Sequence, residues 1–422
     1  MDSLQKTLFE GLLDAPYHKL AKIIADKLAS QGVTLSTREE QRLIDHLKIN
    51  TTDPFKFRNW QWWSNKNFDV HLSEDEVEEI HEWFTEFLNN KLPELLHSMV
   101  EELSAEILIT LNKNWAAESR RQKREISGFL KRLNQRWGKG IDLLRMFIAI
   151  SREFGESINN SLSDNENFIS WNLLEALSRL HARSCQVAEE IVCLISAGFA
   201  DGAMARWRTL HEIAIVALLL QKHGEDLAKH YIDHQVVESF RAACDYQECY
   251  ERLDYEPMPA SEFEAVYKEF EAVTQKYGTS FKDQYGWAAK ALNIKKPTLR
   301  DIEKDAGIDH LRAHYRMASH NVHSNPKGVY FKLGLIGEID ILLAGPSNTG
   351  FTDPGHSTAI SLMQVSAAFG LIQPNLDSLV SMKILSRLVE EIGEAFYEAQ
   401  QSLENDMNLI PNSEANMNFN RS

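Results

Sequence analysis

The chain has 422 residues, more than one ordinary core of about 100–200 residues holds, so two or three domains are expected. Hydrophobic residues at 43% and charged residues at 25% describe a globular protein, and 20 Gly with 11 Pro argue against a loop-rich all-β or collagen-like chain. A net charge of −16 repels nucleic acid and anionic membrane, so any such contact must come from a local basic patch.

The first 160 residues read as an N-terminal helical region. Thr34, Ser36 and Thr37 precede a helix near Glu39–Leu47. Residues 51–72 interrupt the helical rhythm and concentrate Trp60, Trp62 and Trp63, which suit a loop anchor or interface better than a base-stacking platform. Ser73 then opens an acidic helix whose first turns carry Glu74, Asp75, Glu76, Glu78 and Glu79, at the favourable end of the helix dipole. Residues 113–139 hold nine Lys or Arg against Glu118 and Glu125. Arg120, Arg121, Arg124, Lys131 and Arg132 are the candidate nucleic-acid contacts there. The competing reading is a solvated helix, or one docked on the acidic helix.

Residues 94–256 contain no proline, so long helices are permitted there. Apolar residues recur at helical spacing from Trp171 to Phe199, with Ser170, Ser163 or Asp164 as candidate caps. A second helix is expected from about Ala203 to Gln221 and a third from about Glu225 to Arg252, packed as antiparallel neighbours. Residues 253–306 read as shorter helices between turns. After a helix over 308–323, Val329–Leu333 alternates like a strand, with Ile339–Ala344 as its partner, which predicts a small β-hairpin near 329–344. Gly345–His356 reads as a loop, helices resume from Ser357 to about Leu403, and the Asn-rich residues 405–422 read as a disordered tail. The fold class is all-α in two helical regions, with residues 161–404 as the second domain.

Cys185, Cys193, Cys244 and Cys249 form no CxxC pair and suit reduced, buried thiols in a cytoplasmic protein. The N-terminus lacks a signal-peptide pattern. The longest apolar run, Ile213–Leu220, is far shorter than the roughly 20 residues of a membrane span, so no membrane partner is expected.

Candidate chemistry falls in three places. His230/His234 and His310/His314 are His-x-x-x-His pairs, but neither encloses a Glu and no third ligand is evident, so no metal and no cofactor are expected. Arg208 and Glu212, one turn apart beside the apolar run, are either a register-fixing ion pair or a polar site inside the bundle. Arg316, His320 and His323 share one face of a helix end: a cation to neutralise a phosphate and imidazoles to move its proton.

Residues from about Phe168 to Phe369 resemble the bacterial domain-of-unknown-function family 5677. The likeness rests on Arg206-Trp207-Arg208-Thr209-Leu210-His211-Glu212, on Tyr315-Arg316-x-x-Ser319-x-x-x-His323, and on the Asn325-Pro326-Lys327-Gly328 turn. More distantly this resembles the all-helical HEPN group, whose motif is an Arg followed after four to six residues by a His; Arg316…His323 and Arg206…His211 fit it. In that group the polar residue that often follows the Arg is Met317 here. The resemblance implies an intracellular antiviral-defence or toxin-like protein acting as a metal-independent endoribonuclease. Arg316 and His323 would act on RNA, His320 would share their face, and Arg208 with Glu212 would orient them. It also implies a homodimer or a partner protein. The alternative is a non-enzymatic interaction or sensor module in which the same residues form a buried polar network.

Overall fold

The computed structural model describes residues 2–49, 54–55, 70–163, 168–323, 325–335 and 342–408, with the side chains of residues 2–13 and 407–408 outside that description. Helix accounts for 84% of the described residues. The chain divides into two compact units, residues 1–121 and 122–422, and the division falls inside one long helix.

In the first unit α1 (Asp2–Ser30) packs on α2 (Thr37–Ile49) around Ala21, Leu28, Val33, Leu35, Leu43 and Ile44. The acidic helix α3 (Glu74–Glu86) begins as its sequence indicates. Ser73 caps the Glu76 amide, and the Glu76 carboxylate returns to the Ser73 amide at 2.7 Å, a reciprocal capping box. Glu76 also meets Lys27 of α1 at 2.5 Å, and these bonds hold its carboxyl below the ordinary range. A π-helical turn, Phe87–Lys91, leads directly into α4 (Leu92–Ser163). Pro93 therefore does not end the helix. The widened turn lies where the proline ring would otherwise crowd the carbonyl four residues back. Trp60, Trp62 and Trp63 lie outside the described residues.

The second unit is built around α6 (Ala200–His223), enclosed by α5 (Trp171–Ser196), α11 (Leu299–Ala306), α12 (Arg312–Val322) and α14 (Thr352–Gly370). The run Ile213–Leu220 explains this placement. Apolar on every face, it can only sit inside, and Ile215, Ala217, Leu219 and Leu220 are completely buried. The C-terminal half of α4 joins the same core through Leu133, Trp137, Leu144 and Phe147, so residues 122–160 pack with the second unit. α15 (Leu376–Asn408) inserts Phe396 between α4 and α14, where Gly355 leaves the space: a Cβ there would lie 2.6 Å from the ring.

Several boundaries differ from those the sequence suggests. Ser170 makes no side-chain cap for α5; the Glu225 carboxylate instead accepts from the amides of Asn172 at 3.0 Å and Leu173 at 2.9 Å. The expected third helix is two, α7 (Glu225–Asp233) and α8 (Gln235–Cys249), meeting at His234, whose ring bonds the Asp283 carbonyl at 3.0 Å. α9 (Ala260–Tyr277) and the short α10 (Ala289–Leu292) follow. The hairpin is not formed among the described residues. Val329 and Tyr330 end a short helix, α13 (Pro326–Tyr330), because Asn325 caps the Gly328 amide at 3.1 Å and Pro326 pre-sets the first turn. Residues 339–341 of the proposed return strand, and 336–338 before it, lie outside the described residues. α14 starts at Thr352, earlier than expected, since Pro354 falls in the first turn, where its missing N–H is harmless. Helix continues through residues 405–408 of the expected tail, and the remainder lies outside the described residues.

Leu144 is fully buried in this core. Leu144→Ala should lower unfolding stability by about 2–5 kcal/mol, read from urea titration of the full chain; a loss under about 1 kcal/mol would show that α4 does not belong to the core.

Candidate functional site

Arg208, His211 and Glu212 of α6, just before its apolar run, face α11 and α12. Arg208 Nε donates to the Tyr315 hydroxyl at 2.9 Å and lies 3.0 Å from Glu212 Oε1. The Tyr315 hydroxyl in turn donates to Glu212 Oε1 at 2.7 Å. The other arm of the guanidinium, Nη1, is 3.1 Å from His323 Nε2. A guanidinium has only donors, so Nε2 accepts and the neutral ring carries its proton on Nδ1. Burial opposes the Arg208 charge, but Tyr315 and Glu212 outweigh it and hold the group above its ordinary pKa. Burial, reinforced by Glu212, pushes the Tyr315 hydroxyl up to about 12, so it stays a donor at neutral pH.

A second polar link lies deeper. His211 Nε2 is 3.3 Å from Glu303 Oε1, and Arg312 Nη1 reaches Glu303 Oε2 at 2.8 Å. His211 and Glu303 are both fully buried. Burial lowers the His211 pKa more than Glu303 raises it, so Arg312 is the cation that balances the carboxylate. Tyr315 separates the two links, with the guanidinium carbons of Arg208 and Arg312 at 5.1 and 5.3 Å from its ring centroid.

The structure brings together Arg208, Glu212 and His323, three of the five catalytic candidates. His323 is exposed at the C-terminal end of α12. Arg316 is exposed on the same helix and makes no ion pair among the described residues. His320 turns to Asn325, Nδ1 meeting the amide nitrogen at 2.5 Å, and braces the α12–α13 turn. Arg208 and Glu212 are only partly buried, so the interior position their neighbours suggest is limited to one side of each. The second Arg-x4-His match is a different object: Arg206 pairs with Glu190 on α5, and His211 has no exposed surface.

Of the basic residues, Arg136 and Lys139 pair with Asp406 and Glu398 of α15 at 2.6 and 2.9 Å, so their charge is spent inside the unit. Lys131 and Arg132 remain exposed. Nearby Phe129 packs on Gly198, whose carbonyl accepts from Ser347, and Ser347 bonds the Gly334 carbonyl. Asp201 closes this chain by accepting from the Leu333 amide at 3.0 Å and from Asn321 of α12 at 3.3 Å. The end of α12 and the Phe129–Arg132 segment are thus joined through one loop. Arg120, Arg121 and Arg124 sit in the stretch spanning the division between units; Arg121 pairs with Glu118 at 2.6 Å.

Neither His-x-x-x-His pair lies on one uninterrupted helix. His234 is the junction of α7 and α8, and His230 sits edge-on against Tyr277; His310 belongs to a 3-10 turn that precedes α12. Among the described residues no cluster of three or more His, Cys, Asp or Glu is disposed to hold a metal ion. Cys185 is buried, whereas Cys193 is exposed and Cys244 and Cys249 are half-buried; all four are free.

Sequence reasoning missed Glu303, Arg312 and Asp201, which carry no local motif and act only through distant chain segments. It also missed a cavity of about 670 Å³ between α4 and α5, whose buried walls are Gly155, His181, Cys185 and Phe369. Burial lowers His181 to about 4 and raises Cys185 to about 11, so a neutral imidazole faces a protonated thiol. That pairing is packing chemistry and not an activated nucleophile.

Residues 174–336, which include α6, α12 and the Asn325 turn, match a family of unknown function, DUF5677. No curated protein and no solved structure matches the chain. No helix among the described residues is long and apolar enough to cross a membrane.

Two outcomes are expected. His181 is neutral when folded, and its folded pKa of about 4 lies below the ordinary 6.5. Its contribution is therefore complete above pH 6.5 and lost as pH falls toward 4, on the order of 2–3 kcal/mol. Urea midpoints should fall between pH 7.5 and 4.5 by more in the wild type than in His181→Gln; equal losses would assign the acid sensitivity elsewhere. Gly328 lies against α12, and a Cβ there would come within 2.1 Å of the His320 carbonyl oxygen. Gly328→Ala should cost about 1–3 kcal/mol and shift the His320 and His323 ring resonances; unchanged resonances would mean the turn does not hold this edge.

Proposed function

We propose that the exposed edge of α12 is a metal-independent phosphodiester-cleaving site acting on RNA, in a defence or toxin-like protein of the HEPN kind. One observation carries this reading: His323 stands at the surface with Nε2 3.1 Å from a guanidinium that Tyr315 and Glu212 hold fixed. A second cation, Arg316, is exposed on the same helix. Positioned cations stabilise the charge that develops on a phosphate under attack, and an imidazole can take up a proton and give it back near pH 7.

In such a step the 2′-hydroxyl oxygen bonds to phosphorus as the bond to the 5′-oxygen breaks. His323 Nε2 takes the 2′-hydroxyl proton in place of its bond from Arg208, and the imidazolium so formed gives a proton to the departing 5′-oxygen and returns to the neutral ring. Arg316 meets the phosphate, and Arg208 orients the imidazole. Because the whole chain repels RNA, attraction must be local; Lys131 and Arg132, linked through the Gly198–Asp201 loop to the end of α12, are its natural source.

A second reading has its own support. Arg208, Arg312 and His211 are already bonded to Tyr315, Glu212 and Glu303, as a network that fixes helix register would be. In an interaction or sensor module the same residues would keep α6, α11 and α12 aligned and nothing would be cleaved.

The two separate cleanly. His323→Ala and Arg316→Ala remove exposed side chains and should leave the fold intact. Each should lower cleavage of single-stranded RNA in EDTA by 100-fold or more, and relieve growth arrest on overexpression. If both variants fold and match the wild type, or if the wild type cleaves no RNA, the nuclease reading is wrong and the module reading stands.

A further inference from the structure

The first half of α4 carries an apolar surface that no described residue of its own unit covers. From Leu92 to Trp115 the helix is exposed on nearly all sides, with Val100, Ile107, Leu111 and Trp115 each more than half exposed. These side chains form a pattern. Leu92 and Leu103, Leu96 and Ile107, Val100 and Leu111 are pairs eleven residues apart. An 11-residue repeat keeps one face in register along a nearly straight helix, as in helices that pair over several turns. Patches of this kind, rimmed by polar residues, mark interaction sites.

We infer that this stripe pairs with the same stripe of a second copy of the chain, antiparallel, about a two-fold axis between Leu103 and Ser104. Two features of the sequence select that occupant. First, the stripe is largely its own complement when reversed: about that axis Leu92 meets Trp115, Leu96 meets Leu111 and Val100 meets Ile107, while Leu103 meets Ser104 at the centre. Such self-complementarity is what a two-fold interface requires. Second, charge is polarised along the helix. Glu82, Glu86 and Glu94 lie toward the N-terminal end and Lys113, Arg120 and Arg121 toward the C-terminal end. Antiparallel pairing sets the basic end of one copy beside the acidic end of the other, while parallel pairing sets like on like. Arg121 already pairs with Glu118, so the complementarity is between helix ends and not between single ion pairs. The stripe is ~36 Å long at 1.5 Å per residue.

The pairing needs neither His323 nor RNA, so it stands or falls apart from the nuclease reading. The full chain should sediment at twice its 48.3 kDa mass at micromolar concentration. Ile107→Glu with Leu111→Glu, on a surface that supports no fold, should return it to a monomer with an unchanged circular dichroism spectrum. Orientation is read by a short thiol cross-linker, with the wild type as control for the native cysteines. Leu103→Cys, beside the axis, should link to itself across copies. Leu96→Cys alone should not, but should link when mixed with Leu111→Cys. A monomeric wild type overturns the inference. So does a dimer that survives the double Glu variant, or efficient self-linking of Leu96→Cys, which would show a parallel pair.

Discussion

Enclosure of α6 is the constraint on which the rest of the second unit depends. A helix apolar around its whole circumference over two turns has no solvent face to offer, so neighbours must be found on every side. α5, α11, α12 and α14 supply them. Enclosure also decides the fate of the polar residues just upstream. Trp207 must place its indole N–H on the Ser357 carbonyl and Ser361 hydroxyl of α14, and His211 must find Glu303 on α11. Arg208 and Glu212 share Tyr315 on α12. The polar network is the consequence of burying α6, and it in turn fixes which faces of α11 and α12 turn inward.

The candidate site lies where that network reaches solvent. Deep members are neutral or charge-balanced: His211 is held uncharged by burial, and Arg312 offsets Glu303. The outer members, Arg208 and His323, keep a side toward water. This gradient explains why one constellation supports both a catalytic and a structural reading. A base-and-cation pair must be rigid to be useful, and rigidity is supplied by the same bonds that lock helix register. Arg316 stands outside that network: it is exposed and makes no ion pair among the described residues.

The surface of the first unit follows a different logic. Its small core binds α1 to α2, and Lys27 ties α1 to the capped start of α3. The helix that follows carries apolar residues with no core of their own. An exposed helix of this length gains its stability from packing more than from propensity. A second copy of the same helix would provide that packing without disturbing the core of either unit.

By itself the sequence determined the helical class, the proline-free stretch that permits long helices, the acidic helix opened by Ser73, and the placement of Arg208 and Glu212 one turn apart, because these depend on contacts within a turn or two of the chain. It also picked out α6 as an interior helix from its unbroken apolar run. Tertiary structure alone decided the rest. Glu225 replaces a local cap for α5, Asn325 turns an apparent strand into α13, and Glu303 and Asp201 join the network from far along the chain. It also separated the two Arg–His motifs, burying His211 and leaving His323 at the surface. Local spacing reports which residues share a helix face. Whether that face meets water or another helix is set by the packing of segments a hundred residues away.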